Sequence, residues 1–296
     1  MKNKFWKRVK TEYIGRSYAI LCGIIIIVLT LSIIAYITSS GLNLFIKHGY
    51  SLSKFLFSTK WKPDAAVPQF GALIFIAGST LVSLGAILLS TPISIALAIF
   101  MNYISPELGN KVLQPALELF VGIPSVVYGW IGISLCVPLI RMQSKGIGFS
   151  LLAGIIVLSI MTLPTIASIS SDAVKTVSKD YVEASYGLGA TRWQTISKVI
   201  VPAAKTGILT AVVLGLARAF GEALAVQMVI GNSIRMPEGL FNPTSTLTGV
   251  LTTDMGNTGF GTAWNDALWS LALLLLIISL LFIIIIRIIG KRGEVK

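Results

Sequence analysis

The stretch DYVEASYGLGATRWQTISKVIVP, residues 180–202, is polar and sharply punctuated, and the chain on both sides of it is apolar. LLAGIIVLSIMTLPTIASIS begins at Leu151 and TGILTAVVLGLARAF begins at Thr206. Within the stretch, Asp180 is a helix-capping residue type, and Glu183 three residues on loosely completes a capping box. Gly187 and Gly189 end that first turn of helix, because glycine takes positive φ without steric cost. Thr191 starts a second helix, with Gln194 at true capping-box spacing. Trp193, Ile196, Val199 and Ile200 then fall near one face, and Pro202 marks where the next helix is set up. The pattern predicts two short capped helices around a glycine turn.

The flanking runs decide the class. The chain has 296 residues, 54% of them hydrophobic and 12% charged, with mean hydropathy +0.84. Soluble domains carry about 25% charged residues. An all-α integral membrane protein is expected, because helices satisfy their own backbone in lipid. A membrane barrel would show alternating segments of about ten residues, which the sequence lacks. Apolar runs predict six transmembrane helices, at about residues 17–39, 71–102, 112–140, 149–170, 206–230 and 266–289. The second contains Pro92 and the third is interrupted by Pro124.

The net charge of +12 would suggest nucleic acid in a soluble protein; here its placement matters more. Basic residues crowd MKNKFWKRVKTEYIGR at the start, and Arg287, Lys291, Arg292 and Lys296 stand at the end. Six spans put both termini on one side, and the positive-inside rule makes that side cytoplasmic. Most of the 24 lysines and arginines fall in the inward segments, although the outward loop 41–70 carries four lysines. The expected division is 1–69 for the N-terminal tail, first helix and outward loop, 70–290 for a domain of the remaining five helices with the polar insert, and 291–296 for a cytoplasmic tail. The apolar run from Ser17 to Tyr36 exceeds a signal-peptide core and no A-x-A site follows, so a retained helix is expected. Cys22 and Cys136 lie in apolar runs and read as small hydrophobes. The single His48 has no partner cluster, so neither metal nor cofactor is expected. Gly71, Gly78, Gly85 and Pro92 recur every seven residues, placing small residues on one face for close packing in lipid.

Three readings of the polar insert compete. A DNA-binding helix-turn-helix is disfavoured by the adjacent spans and by too few basic residues for a phosphate footprint. The others are an interfacial helix resting on lipid and a docking element for a cytoplasmic partner. The insert resembles the EAA loop of ABC importer permeases, E-A-A-x3-G-x9-I-x-L-P. The matching positions are Glu183, Ala184, Ser185, Gly189, Val199, Val201 and Pro202, with serine at the third position and valine for isoleucine and leucine. The resemblance implies a type I importer permease (MetI-like) fold in which this loop is a coupling helix seated in an ATPase subunit. Independently, the sequence contains no G-x-x-x-x-G-K-[ST], so ATP-driven transport would need a separate ATPase chain.

Arg218 and Glu222 stand four apart in the fifth span, on one helical face. An arginine at mid-membrane costs about 2.5–3.5 kcal/mol on insertion scales, so such residues face a bundle interior and mark a pathway. The alternative is that the two simply pair with each other. Arginine's planar fork suits phosphate-like anions. Glu118, early in the third span, is a further pathway candidate, open between functional and structural roles. GIPSVVYG (122–129), MTLPTIAS (161–168), RAFGEALAVQMVIGN (218–232) and NPTSTLTGVL (242–251) resemble phosphate-specific ABC transporter permeases, and the PstC-type subunit in particular. That resemblance implies a PstA-type permease partner, an ATPase dimer and an extracytoplasmic phosphate-binding protein. The rivals are a permease for another oxyanion, a stand-alone secondary transporter, and a membrane enzyme. The last lacks a carboxylate cluster and a histidine base.

Overall fold

The computed structural model describes residues 15–144 and 146–293. Most of the basic stretch at the start and the tail 294–296, both read as cytoplasmic, lie outside the described residues. Helix α1, Gly15–Ile46, leads into a small folded cap. The cap comprises α2, Leu52–Phe57, and an antiparallel hairpin, β1 Trp61–Lys62 with β2 Gln69–Phe70. Then follow α3, Leu73–Ile99, which runs on as a π-helical turn to Ile104; α4, Gln114–Gly122; and α5, Ser125–Ile131, which continues to Gln143. Next come α6, Leu151–Lys175; α7, Lys179–Gly187; and α8, Arg192–Thr195, extended to Ala203. The chain ends with α9, Lys205–Gly221; α10, Leu224–Ile230; α11, Leu247–Asp254; and α12, Ala263–Gly293. Five helices are long and apolar enough to cross a membrane, or six if the pair Arg192–Ala203 and Lys205–Gly221, bent by 67°, counts as one span. That accommodates the expected six.

The centre of the bundle is α3 against α6. Water drives no association between helices in lipid, so close packing of small residues must do so. Ser79, Ser83, Ser90 and Ser94 of α3 are all buried. The seven-residue stripe serves several neighbours. A Cβ at Gly78 would run into the Ser245 carbonyl just before α11, and one at Gly85 would stand 2.6 Å from Ile155 Cδ1 of α6. Helix α1 stands apart, with only Gly41 and Leu44 buried. There Ser270 of α12 donates to the Gly41 carbonyl at 2.7 Å, and Tyr36 packs edge-on against Trp269.

Loop 41–70, read from sequence as outward-facing, was expected only as a connection. It folds around Phe55, Trp61, Phe70 and Phe75, with Trp61 and Phe75 edge to face at 5.1 Å. Such pairs add stability beyond the area they bury. His48 does find one partner: its Nε2 lies 3.0 Å from Asp266 Oδ2 at the start of α12. No group of three or more metal-ligand residues occurs among the described residues. Both cysteines are free and partly buried.

Two expected spans are broken. The fifth, read as continuous over 206–230, parts at Glu222, which is extended at φ −73 and ψ 124. The third parts at Ile123, φ −68 and ψ 129, just before Pro124. Proline forces its predecessor out of the helical region, which accounts for the break at Ile123. At Glu222 no proline follows, and the local sequence offers only the weak helix former Gly221 just before it.

Candidate functional site

Each break is followed by a new helix. Helices α5 and α10 pack side by side directly after them: a Cβ on Gly129 would stand 3.2 Å from Ala225 Cα and 2.6 Å from Met228 Sδ. A broken helix leaves backbone groups without partners, at several kcal/mol each in hydrocarbon. Here they are met. The Tyr128 hydroxyl donates to the Phe120 carbonyl at 2.8 Å across the first break. At the second, Glu222 Oε1 accepts from Ala225 N at 3.1 Å and caps α10. The Glu222 carbonyl accepts from the Thr248 hydroxyl of α11 at 2.8 Å. One turn along, Thr252 donates to Gln227 Oε1 at 2.6 Å.

Arg218 lies one turn before the break and is partly buried. Its guanidinium donates to the Thr165 hydroxyl on α6. The expected alternative, an Arg218–Glu222 pair, does not form: the ion pairs among the described residues are His48–Asp266 and Lys111–Glu107. The physical reason is the break, which turns the Glu222 carboxylate to the amide of Ala225. Glu118 is exposed mid-way along α4 and accepts from Gln114 at 3.0 Å. No hydrogen bond or ion pair among the described residues joins it to Arg218. Thr165 and Thr248 were not singled out from sequence. Both sit inside quoted motifs, MTLPTIAS and NPTSTLTGVL, but nothing local marks those threonines as partners of a span 26 or more residues away.

The polar insert forms the two helices expected, with corrections in detail. Ser178, not Asp180, caps α7 by accepting from Asp180 N; the aspartate lies in the first turn. Gly189 takes the left-handed conformation at φ +82, whereas Gly187 closes α7 without positive φ. The Thr191–Gln194 capping box is present, with both reciprocal bonds. Ile196 and Ile200 are buried and Val199 partly so, but Trp193 points outward at 68% exposure.

Two devices fix this hairpin to the bundle, and a third joins its two helices to each other. Ile196 and Ile200 join Ile99, Val174, Ala204 and Ile208 in one cluster, tying it to α3, α6 and α9. The hydroxyls of Ser185 and Thr195 meet at 3.0 Å in a buried contact between α7 and α8. Arg192 donates to the carbonyls of Tyr103 and Ile104 at the end of the α3 run, the latter at 3.1 Å. The serine that departs from the motif's third alanine is therefore a buried hydrogen-bonding residue. The outer face carries Tyr181, Leu188 and Trp193, with a shallow pocket of about 290 Å³ between Tyr181, Ala184, Leu188 and Val199. Glu183 and Ala184 are exposed beside it, Val201 is partly buried, and Pro202 is exposed.

Residues 90–294 match the family described as binding-protein-dependent transport system inner membrane component. The probable ABC transporter permease protein YqgH of Bacillus subtilis is 51% identical over 285 residues, covering 96% of this chain and 92% of that protein. The phosphate transport system permease protein PstC of Pasteurella multocida is 35% identical over 219 residues, 67% of this chain and 68% of that one. Among solved structures, an inward-facing MetNI methionine ABC transporter aligns with TM-score 0.54 at 20% identity, over 75% of this chain and 94% of that one. A bacterial ABC transporter for the import of alginate aligns with TM-score 0.57 at 16% identity, over 98% and 99%. Fold and loop thus define a multi-pass ABC importer permease subunit, one that has no ATPase site of its own. The chain belongs to the family of binding-protein-dependent transport system inner membrane components.

Proposed function

We propose that this chain forms one half of the pore of an ATP-driven inorganic phosphate importer. The observation that carries the reading is Arg218, a guanidinium inside an apolar span with no carboxylate partner among the described residues. An unneutralised planar cation with spare donors suits a tetrahedral oxyanion. The similarity to PstC proteins supports phosphate over other oxyanions. Arg218 and Glu222 belong to the pathway in this reading, with Glu118 a weaker candidate on the same route. A PstA-type subunit completes the pore, and an extracytoplasmic binding protein delivers phosphate. An ATPase dimer docks on Glu183, Ala184 and the exposed face around Leu188, with Gly189, Ser185, Val199, Val201 and Pro202 shaping that face. Both termini and the hairpin then lie in the cytoplasm, and residues 70–290 form the transporting domain.

The test is ATP-dependent phosphate uptake by the reconstituted complex, with sulfate and molybdate as competitors. Arg218→Gln should lower uptake while ATPase subunits still copurify. Unchanged uptake in that variant removes Arg218 from the pathway. Competition by sulfate as strong as by phosphate itself transfers the reading to a broader oxyanion importer. Full uptake by this chain alone would establish a secondary transporter instead.

A further inference from the structure

In an unbroken fifth span, Arg218 and Glu222 would stand four residues apart on one helical face. The carboxylate would then neutralise the guanidinium, and no charge would remain for an anion. The observed break prevents this. Glu222 leaves helical geometry, its carboxylate caps α10 at Ala225 N, and Arg218 turns to a neutral hydroxyl on Thr165. The sequence around the break, LARAFGEALAV, contains no proline, and its one weak helix former is Gly221, directly before Glu222. A single glycine weakens a helix only modestly, so contacts outside the span are needed to hold it open. In a continuous helix the Glu222 carbonyl would accept from the amide four residues on; instead it accepts from the Thr248 hydroxyl at 2.8 Å.

We propose that Thr248 is a positioning residue for translocation: by occupying the Glu222 carbonyl it keeps the span broken and Arg218 free of its own carboxylate. The remaining contacts of α11 make Thr248 a fixed donor. Thr248 is only 6% exposed. The amide of neighbouring Leu247 donates to Ser79 of α3 at 2.9 Å. Thr252 holds Gln227 one turn further along. Helix α11 thus holds the break at Glu222 and α10 at Gln227, and braces against α3 behind. A charge on the pathway is controlled by a backbone carbonyl, not by a side chain that touches substrate. This inference rests on Arg218 lying on the anion pathway, as proposed above.

The test is uptake by the whole reconstituted complex, measured per assembled complex, for four variants beside the unmodified protein. Thr248→Val removes the hydroxyl at nearly constant shape and should lower phosphate uptake about tenfold, the loss expected when a buried acceptor is stripped of its donor. Thr248→Ser restores the donor and should recover most of it. The decisive variant is Thr248→Val with Glu222→Gln. Glu222 serves the pathway by capping α10, a task the amide variant keeps, and the amide cannot neutralise Arg218, so uptake should rise above that of Thr248→Val alone. A packing defect would not be relieved by a second change at Glu222. Wild-type uptake in Thr248→Val overturns the proposal, and so does a double variant no better than the single one. The fourth variant, Arg218→Gln, separates the two readings. If it transports normally, the pathway assignment fails; if it fails while Thr248→Val transports normally, only the role of Thr248 is lost.

Discussion

Gly189 shows how a single position can be read for its backbone and its surface separately. It sits at φ +82, and nothing lies within 4 Å of where a Cβ would stand. A substitution there meets no neighbour and feels only the left-handed conformation, which costs most L-residues about 1–2 kcal/mol but is tolerated by asparagine and aspartate. Gly189→Asn should therefore leave the turn intact and phosphate-coupled ATP hydrolysis near wild type. Gly189→Asp keeps the same backbone and adds a negative charge beside the exposed face of Tyr181 and Leu188. Coupled hydrolysis should fall in that variant while the protein still inserts. Gly189→Val should fail for the other reason, through the turn. Normal coupled hydrolysis in Gly189→Asp would mean that the ATPase does not dock at this turn.

At the scale of elements, the hairpin of α7 and α8 is joined to the bundle by a polar tether as well as an apolar cluster. Arg192 reaches the carbonyls of Tyr103 and Ile104, groups the end of a helix leaves unpaired. A cation there also meets the negative end of the α3 dipole. Arg192→Gln shortens that reach and removes the charge. ATP hydrolysis should persist, with the phosphate moved per ATP reduced severalfold; an unchanged ratio would assign the transmission to the apolar cluster alone. The elements differ in how far sequence revealed them, and the difference follows contact range. The Thr191–Gln194 box was legible because it closes within three residues, and the break at Pro124 because proline acts on its neighbour. The cap of α7 was misplaced by two residues because Ser178 and Asp180 are both good capping types. The break at Glu222 had only a weak local sign in Gly221, because the hydroxyl that meets its carbonyl is 26 residues downstream on α11. The cap around Trp61 escaped for a similar reason: its strands are two residues long, too short for periodicity to register.

For the molecule as a whole, the question is how movement at the hairpin reaches Arg218 through the chain between them. The hairpin, the ends of α3 and α6, and the start of α9 share one packed cluster, so they move together. Such cores are bistable, not continuously deformable, and transmit displacement across their width. Helix α9 leaves this cluster through the 67° elbow at Ala204 and carries Arg218 near its far end. The elbow is stiff: Ala204 is buried, its amide bonds to the Ile200 carbonyl at 2.9 Å, and its own carbonyl accepts from Ile208 N at 3.0 Å. In the importer proposed above, a stiff elbow would convert a push on the hairpin into a tilt of α9, which carries Arg218 with it. Inserting two glycines between Ala204 and Lys205 should leave the hairpin, its exposed face and ATPase docking intact while removing the lever. The expected outcome is a complex that assembles and hydrolyses ATP but takes up phosphate at a small fraction of the normal rate. Normal uptake in the insertion variant would show that α9 is driven through its contacts with α6 and α3, with the elbow a passive joint.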